Sequence, residues 1–119
     1  MSQVRMAWLY ALHVRSALAR GRGWQAVWML EGIRNRLIAW YCLRHGLASQ
    51  EGRGVDQLPA SRRAELASGL VTTTDPTDLR QSFRRLVELL QEEMTRQALP
   101  VQAGLDQTLD QLVATAGPR

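Results

Sequence analysis

Residues 75–96 read DPTDLRQSFRRLVELLQEEMTR, and this stretch decides the fold class. Asp75 carries the short carboxylate that satisfies free N–H groups at a helix start. Pro76 has the fixed φ suited to the first helical position, and Asp78 puts negative charge into the first turn. Leu79, Phe83, Leu86, Leu90 and Met94 then recur at spacings of four and three, which makes one helical face apolar. Glu92 and Arg96 form an i, i+4 pair on the wet side. The run predicts a helix over about 76–98.

Helical periodicity extends outward from there in both directions. Toward the C-terminus, Pro100 breaks the chain, and Leu105, Leu109, Leu112 and Val113 predict a short helix over about 103–115. Residues 117–119, Gly-Pro-Arg, are expected to fray. Toward the N-terminus, Pro59 opens a short helix over about 60–70, preceded by a loop at 47–58 with Gly52 and Gly54 as its flexible points. A helix over about 24–45 is closed by Gly46 in a left-handed cap, and another over about 2–20 ends at Gly21-Arg22-Gly23. β-branched residues are scarce and strand-like alternation of useful length is missing. The expectation is an all-α, up-and-down bundle of about five helices in a single domain 1–119, with its core in 2–98.

The bulk composition fits an ordinary globular protein: 119 residues, 45% hydrophobic and 22% charged. Cys42 is the single cysteine, so no internal disulfide can form and a reducing, cytoplasmic setting is expected. The apolar runs at 6–14 and 37–43 are far short of the ~20 residues that a membrane span needs. The 6–14 run contains His13 and meets Arg15 inside a longer helical pattern, which argues against a secretory signal. All 15 basic residues are Arg and the net charge is +4. Residues 1–53 hold eight Arg against Glu31 and Glu51, whereas 54–119 hold seven Arg against nine acids. Such a basic half can attract phosphates, but its Arg residues are scattered singly, which argues against a nucleic-acid ligand.

The first two predicted helices differ from the fourth. The second has a main stripe of Ala26, Leu30, Ile33, Leu37 and Tyr41, and Trp24, Trp28 and Cys42 lie well outside it. The polar groups of the first collapse onto one narrow stripe of Ser2, Arg5, His13, Ser16 and Arg20, leaving Val4 and Trp8 on a side that a compact bundle need not cover. Both helices are apolar over more of their circumference than a surface helix needs. Either they form an interface with another chain or domain, or the later helices wrap both faces.

Catalytic constellations are missing. His13, Cys42 and His45 are too few and too dispersed for a metal site. His45 suits the C-terminal dipole of its helix, and Cys42 suits the core. No nucleophile elbow occurs, no phosphate-binding loop follows a strand, and no carboxylate pair is spaced for two-metal chemistry. Gly21-Arg22-Gly23 reads as an interhelical turn more readily than as a phosphate cradle. No cofactor and no metal are therefore expected. Arg34 falls amid the apolar stripe, where a guanidinium must be paired or must face a polar cleft. It is read either as a buried partner of Asp56 or as an anion or substrate contact. Glu31 is the sole candidate for a general base in this helix.

Several stretches, taken in order, resemble a known family. They are Gly21-Arg22-Gly23-Trp24-Gln25-Ala26 with Trp28-Met29-Leu30 and Ile33-Arg34-Asn35, then Leu43-Arg44-His45-Gly46-Leu47 with Gly52-Arg53-Gly54-Val55-Asp56 and Leu58-Pro59, then Leu70-Val71 with Asp75-Pro76 and Leu79-Arg80. Over about residues 7–85 the chain is similar to the C-terminal helical domain of bacterial minimal nucleotidyltransferases of the kanamycin nucleotidyltransferase-like group. The resemblance implies a bundle docked on an α/β catalytic domain that carries a Gly-Ser motif and paired Asp residues, none of which is in this chain. It implies either a free-standing substrate-binding-like subunit or a piece of a longer protein, with no enzyme activity of its own. Members acting on aminoglycosides take a base from the helical half, and Glu31 is its nearest equivalent here. The related HEPN domains include RNases in which four to six residues separate an Arg from a following His, a spacing no Arg–His pair here has.

The expected function is that of a helical accessory domain of a nucleotidyltransferase, with Arg34, Glu31, Trp28 and Trp24 on the substrate side. The expected partners are the catalytic domain, a second copy bound through the first two helices, or both. The alternative is a non-catalytic interaction protein, such as an antitoxin-like or HEPN-like helical dimer, without a substrate.

Overall fold

The computed structural model describes residues 3–97 and 105–116, with side chains described over 5–97 and 110–116. Five helices follow in order: α1 Gln3–Ala19, α2 Gly23–Arg44, α3 Ala60–Ser68, α4 Pro76–Arg96 and α5 Leu105–Thr115. Two single 3-10 turns, Gln50–Gly52 and Val55–Gln57, lie in the loop between α2 and α3, and there is no strand among the described residues. The chain is an all-α bundle. The break expected at Pro100, the fraying at 117–119, and the predicted end and start at 98 and 103 lie outside the described residues.

Capping explains where the helices begin and stop. Asp75 Oδ1 accepts hydrogen bonds from the Thr77 and Asp78 amides at 2.9 and 3.2 Å, and Pro76 follows as the first helical residue. Asp78 in turn accepts from the Thr73 hydroxyl at 3.0 Å, which ties the preceding loop to the same turn. At the far end of α2, Gly46 takes φ +68°. That left-handed turn lets the Leu47 amide donate to Cys42 O at 2.8 Å and the Gly46 amide to Leu43 O at 3.3 Å. The chain thereby doubles back toward α2.

One hydrophobic cluster includes side chains from all five helices. α2 is central: Ala26, Leu30, Ile33, Leu37 and Tyr41 are fully buried, as its stripe predicts, and Trp40 and Cys42 join them. α1 meets α2 along the small residues Ala7, Ala11, Val14 and Ala17, so the two backbones come close. At Gly32 the approach is tightest, because a Cβ there would overlap the Tyr10 ring. α4 packs on α2 with Leu79, Phe83, Leu86, Leu90 and Met94, and Val87 and Leu89 extend the same face. α5 returns across α1 and α4, where Arg15 Nε donates to the Thr115 hydroxyl at 2.8 Å.

One expectation about α1 does not hold. Trp8 is not left on an uncovered side; it is half-buried and packs against the core. The Val4 side chain lies outside the described residues. Cys42 is buried although it shares the outward angle of Trp24 on α2. Burial pushes its thiol pKa up. Among the described residues no helix is long and apolar enough to cross a membrane.

Candidate functional site

The outward face of α2 gathers most of the residues marked by the sequence. Trp24 is 79% exposed and Trp28 72% exposed, one turn apart on a helix whose opposite face is the core. Glu31 continues the same line one turn further on, followed by Asn35, since steps of three and four residues return to one helical face. Arg34 flanks Glu31 at 4.0 Å and donates to Asn35 Oδ1 at 3.3–3.4 Å. Trp24, Trp28, Glu31 and Arg34 therefore form one strip, aromatic at its N-terminal end and charged at its middle.

The position of Arg34 corrects the expectation of a buried pair with Asp56. Its side chain is 33% exposed and its ion-pair partner is Glu31. Asp56 is exposed in the second 3-10 turn. The guanidinium escapes the stripe because Arg34 sits at its margin, and its long apolar stem reaches from there to water. The cleft reading of Arg34 has a counterpart in the geometry. A groove of about 460 Å³ runs between α2 and the following loop, lined by Arg34, Asn35, Arg36, Ile38, Ala39, Ser49, Glu51 and Gly52. It lies at the C-terminal end of the strip that the two Trp residues begin.

A second polar cluster, unread in the sequence, joins α2, α3 and α4. Glu93 is fully buried. Its carboxylate accepts from Arg44 Nε and Nη2 at 2.7 and 3.1 Å, from Arg96 Nη1 at 3.2 Å and from Gln97 Nε2 at 2.9 Å. Gln97 Nε2 also donates to the Trp40 carbonyl at 3.0 Å. Burial works to raise the Glu93 pKa, but the hydrogen bonds from Arg44, Gln97 and Arg96 outweigh it and hold the carboxyl below its ordinary range. Beside it, Glu65 of α3 accepts from the Tyr41 hydroxyl at 3.2 Å and pairs with Arg62 at 2.6 Å and Arg96 at 3.7 Å. Burial first, and then the Glu65 charge, push the Tyr41 phenol well above its usual range. Every carboxylate in this cluster is engaged by guanidinium groups, so the arrangement locks three helices together.

The remaining candidates stay apart. His13 and His45 are exposed while Cys42 is buried, and among the described residues no three His, Cys, Asp or Glu side chains gather as metal ligands would. Compared with known proteins, the chain matches no family model, no curated protein and no solved structure.

Proposed function

We propose that this chain is a helical accessory module that works by docking another polypeptide on the outward strip of α2. Its setting is the one the resemblance implies, the substrate side of a nucleotidyltransferase whose α/β catalytic domain is a separate unit. The observation that carries the docking reading is the exposure of Trp24 and Trp28, at 79% and 72%. A neighbouring pair of bare indoles is apolar surface of the kind that interfaces cover, and Trp is the residue most enriched among binding anchors. Glu31 and Arg34, an adjacent pair of opposite charges, supply the orientation that an apolar patch alone lacks.

Two measurements test the two parts separately. The chain is mixed with a separately expressed α/β minimal nucleotidyltransferase domain, followed by size exclusion and by a nucleotidyl-transfer assay with Mg²⁺ and ATP. A complex with transfer above that of the catalytic domain alone is expected, and neither appearing removes the nucleotidyltransferase setting. The strip is tested with Trp28→Glu, at a side chain the core does not use. A folded Trp28→Glu protein that keeps every assembly of the wild type removes the docking strip.

A further inference from the structure

We infer that the occupant of the α2 strip is a second copy of this chain, paired antiparallel about a twofold axis near Glu31. The inference rests on the reading of the strip as a docking surface. It comes from a self-complementarity that the strip carries along its length. Trp24 and Trp28 project before Glu31, and the groove lined by Arg34, Asn35, Ile38, Ala39 and Gly52 opens after it. Projections and recess are at similar distances from Glu31 on one helix face. A twofold axis through that residue therefore carries each onto the other, the defining property of an isologous contact.

The register follows from helix geometry. A twofold axis at Glu31 sets Trp24 opposite the partner's Ile38, about 40° away around the helix at roughly 100° per residue. Trp24 then enters the groove over Ile38 and Ala39, whose volume of about 460 Å³ accommodates an indole. Trp28 comes level with the partner's Asn35, which lines the same groove and lies on the same side of the helix. At the axis two Glu31 and two Arg34 side chains meet, and their charges cancel. The strip from Trp24 to Ile38 is roughly 21 Å long at the α-helical rise. Indoles bury roughly 150–250 Å² each, so the four in a symmetric pair bring roughly 600–1,000 Å² of apolar surface. The groove walls that they cover add a comparable area, and together these reach the low end of specific interfaces.

Sedimentation equilibrium of the full chain over a concentration series tests this directly. A dimer is expected, and Trp28→Glu is expected to weaken it by about thirtyfold or more, the loss typical of removing an anchoring Trp, with an unchanged far-UV circular dichroism spectrum. Ser49→Trp, which fills the groove with an indole from its own chain, is expected to give a monomer as well. Glu31→Cys is expected to form a disulfide-linked dimer on mild oxidation, because the axis brings the same residue of two chains together. The wild type, whose one thiol is buried, is the control. A monomeric wild type overturns the proposal, and so does a dimer that survives both Trp28→Glu and Ser49→Trp or a Glu31→Cys protein that does not cross-link. A monomeric wild type whose complex with a catalytic domain is lost in Trp28→Glu overturns self-pairing alone and leaves the docking strip standing.

Discussion

Arg44, the last residue of α2, holds the fully buried carboxylate of Glu93 in α4 through two hydrogen bonds, 2.7 Å from Nε and 3.1 Å from Nη2. The two residues are 49 positions apart, so the pair fixes where the ends of two helices meet. A buried carboxylate is costly unless its oxygens are fully engaged, and here four donor groups engage them. Glu93→Ala leaves Arg44 and Arg96 facing an empty space and is expected to destabilise the fold by about 3–5 kcal/mol in urea titration. The double substitution Arg44→Met with Glu93→Leu is expected to recover most of that loss, because an apolar pair needs no compensation. A Glu93→Ala protein as stable as the wild type would show that the cluster holds nothing together.

The same carboxylate sets an acid limb in the stability curve. The Glu93 pKa is lowered in the folded chain, whereas in the unfolded chain it takes the ordinary value of about 4.3. The folded state therefore binds fewer protons near that pH. The stabilisation is fully present above the unfolded pKa and is lost as pH falls through the folded one. Melting temperature measured downward from neutral pH should fall progressively below about pH 5. In Glu93→Gln, which starts from a lower stability, that part of the fall should be shallower. Parallel acid limbs for the two proteins would remove Glu93 as the cause.

Much of the fold is legible in the sequence because its signals are local. Asp75-Pro76 marks a helix start with two residues, and Gly46 marks an end with one. The stripe from Leu79 to Met94 needs only the helical period. Trp24 and Trp28 read as outward for the same reason, since they fall outside the stripe of Ala26, Leu30, Ile33, Leu37 and Tyr41. The Arg44–Glu93 pair also left a trace: Arg44 lies seven residues after Leu37 and Glu93 seven after Leu86, so each occupies a buried register. A charge near a helix end nevertheless reads as solvated until a partner distant in sequence is known, and that partner depends on how α2 crosses α4. Arg34 failed in the opposite sense. A helical wheel gives the direction of a Cβ, and a side chain as long as Arg can leave that direction. The groove at Ser49–Gly52 depends on the path of a loop, which has no period to read.

Gly32 is required by the close approach of α1, and the requirement can be measured. A Cβ at this position overlaps the Tyr10 ring. In an open helix Gly32→Ala would be favourable by about 1 kcal/mol through helix propensity. Here the overlap is expected to reverse the sign, with a net loss of about 1–3 kcal/mol as α1 is displaced. In a Tyr10→Ala background the same substitution should be neutral or stabilising. Stabilisation by Gly32→Ala with Tyr10 intact would mean that the helices are not held this close.

Arg34 contrasts with Arg44 in its partner rather than in its own exposure, since Arg34 pairs with the accessible Glu31 and Arg44 with the fully buried Glu93. Its side chain is 33% exposed, its ion pair with Glu31 is 4.0 Å long and its hydrogen bonds reach only a neighbouring Asn. An ion pair of that kind contributes little, because water competes for both partners. Arg34→Ala and Arg34→Met are therefore expected to change stability by about 0.5 kcal/mol or less, with melting curves close to wild type. Arg34→Met keeps the apolar stem and removes the charge, so the two variants together separate packing from electrostatics. If self-pairing operates, both should weaken the dimer while leaving the fold intact, because the two Glu31 carboxylates that meet at the axis lose their cations. A loss of several kcal/mol in Arg34→Ala, with Arg34→Met close to wild type, would return Arg34 to the core as a packing residue and take the charged middle out of the strip.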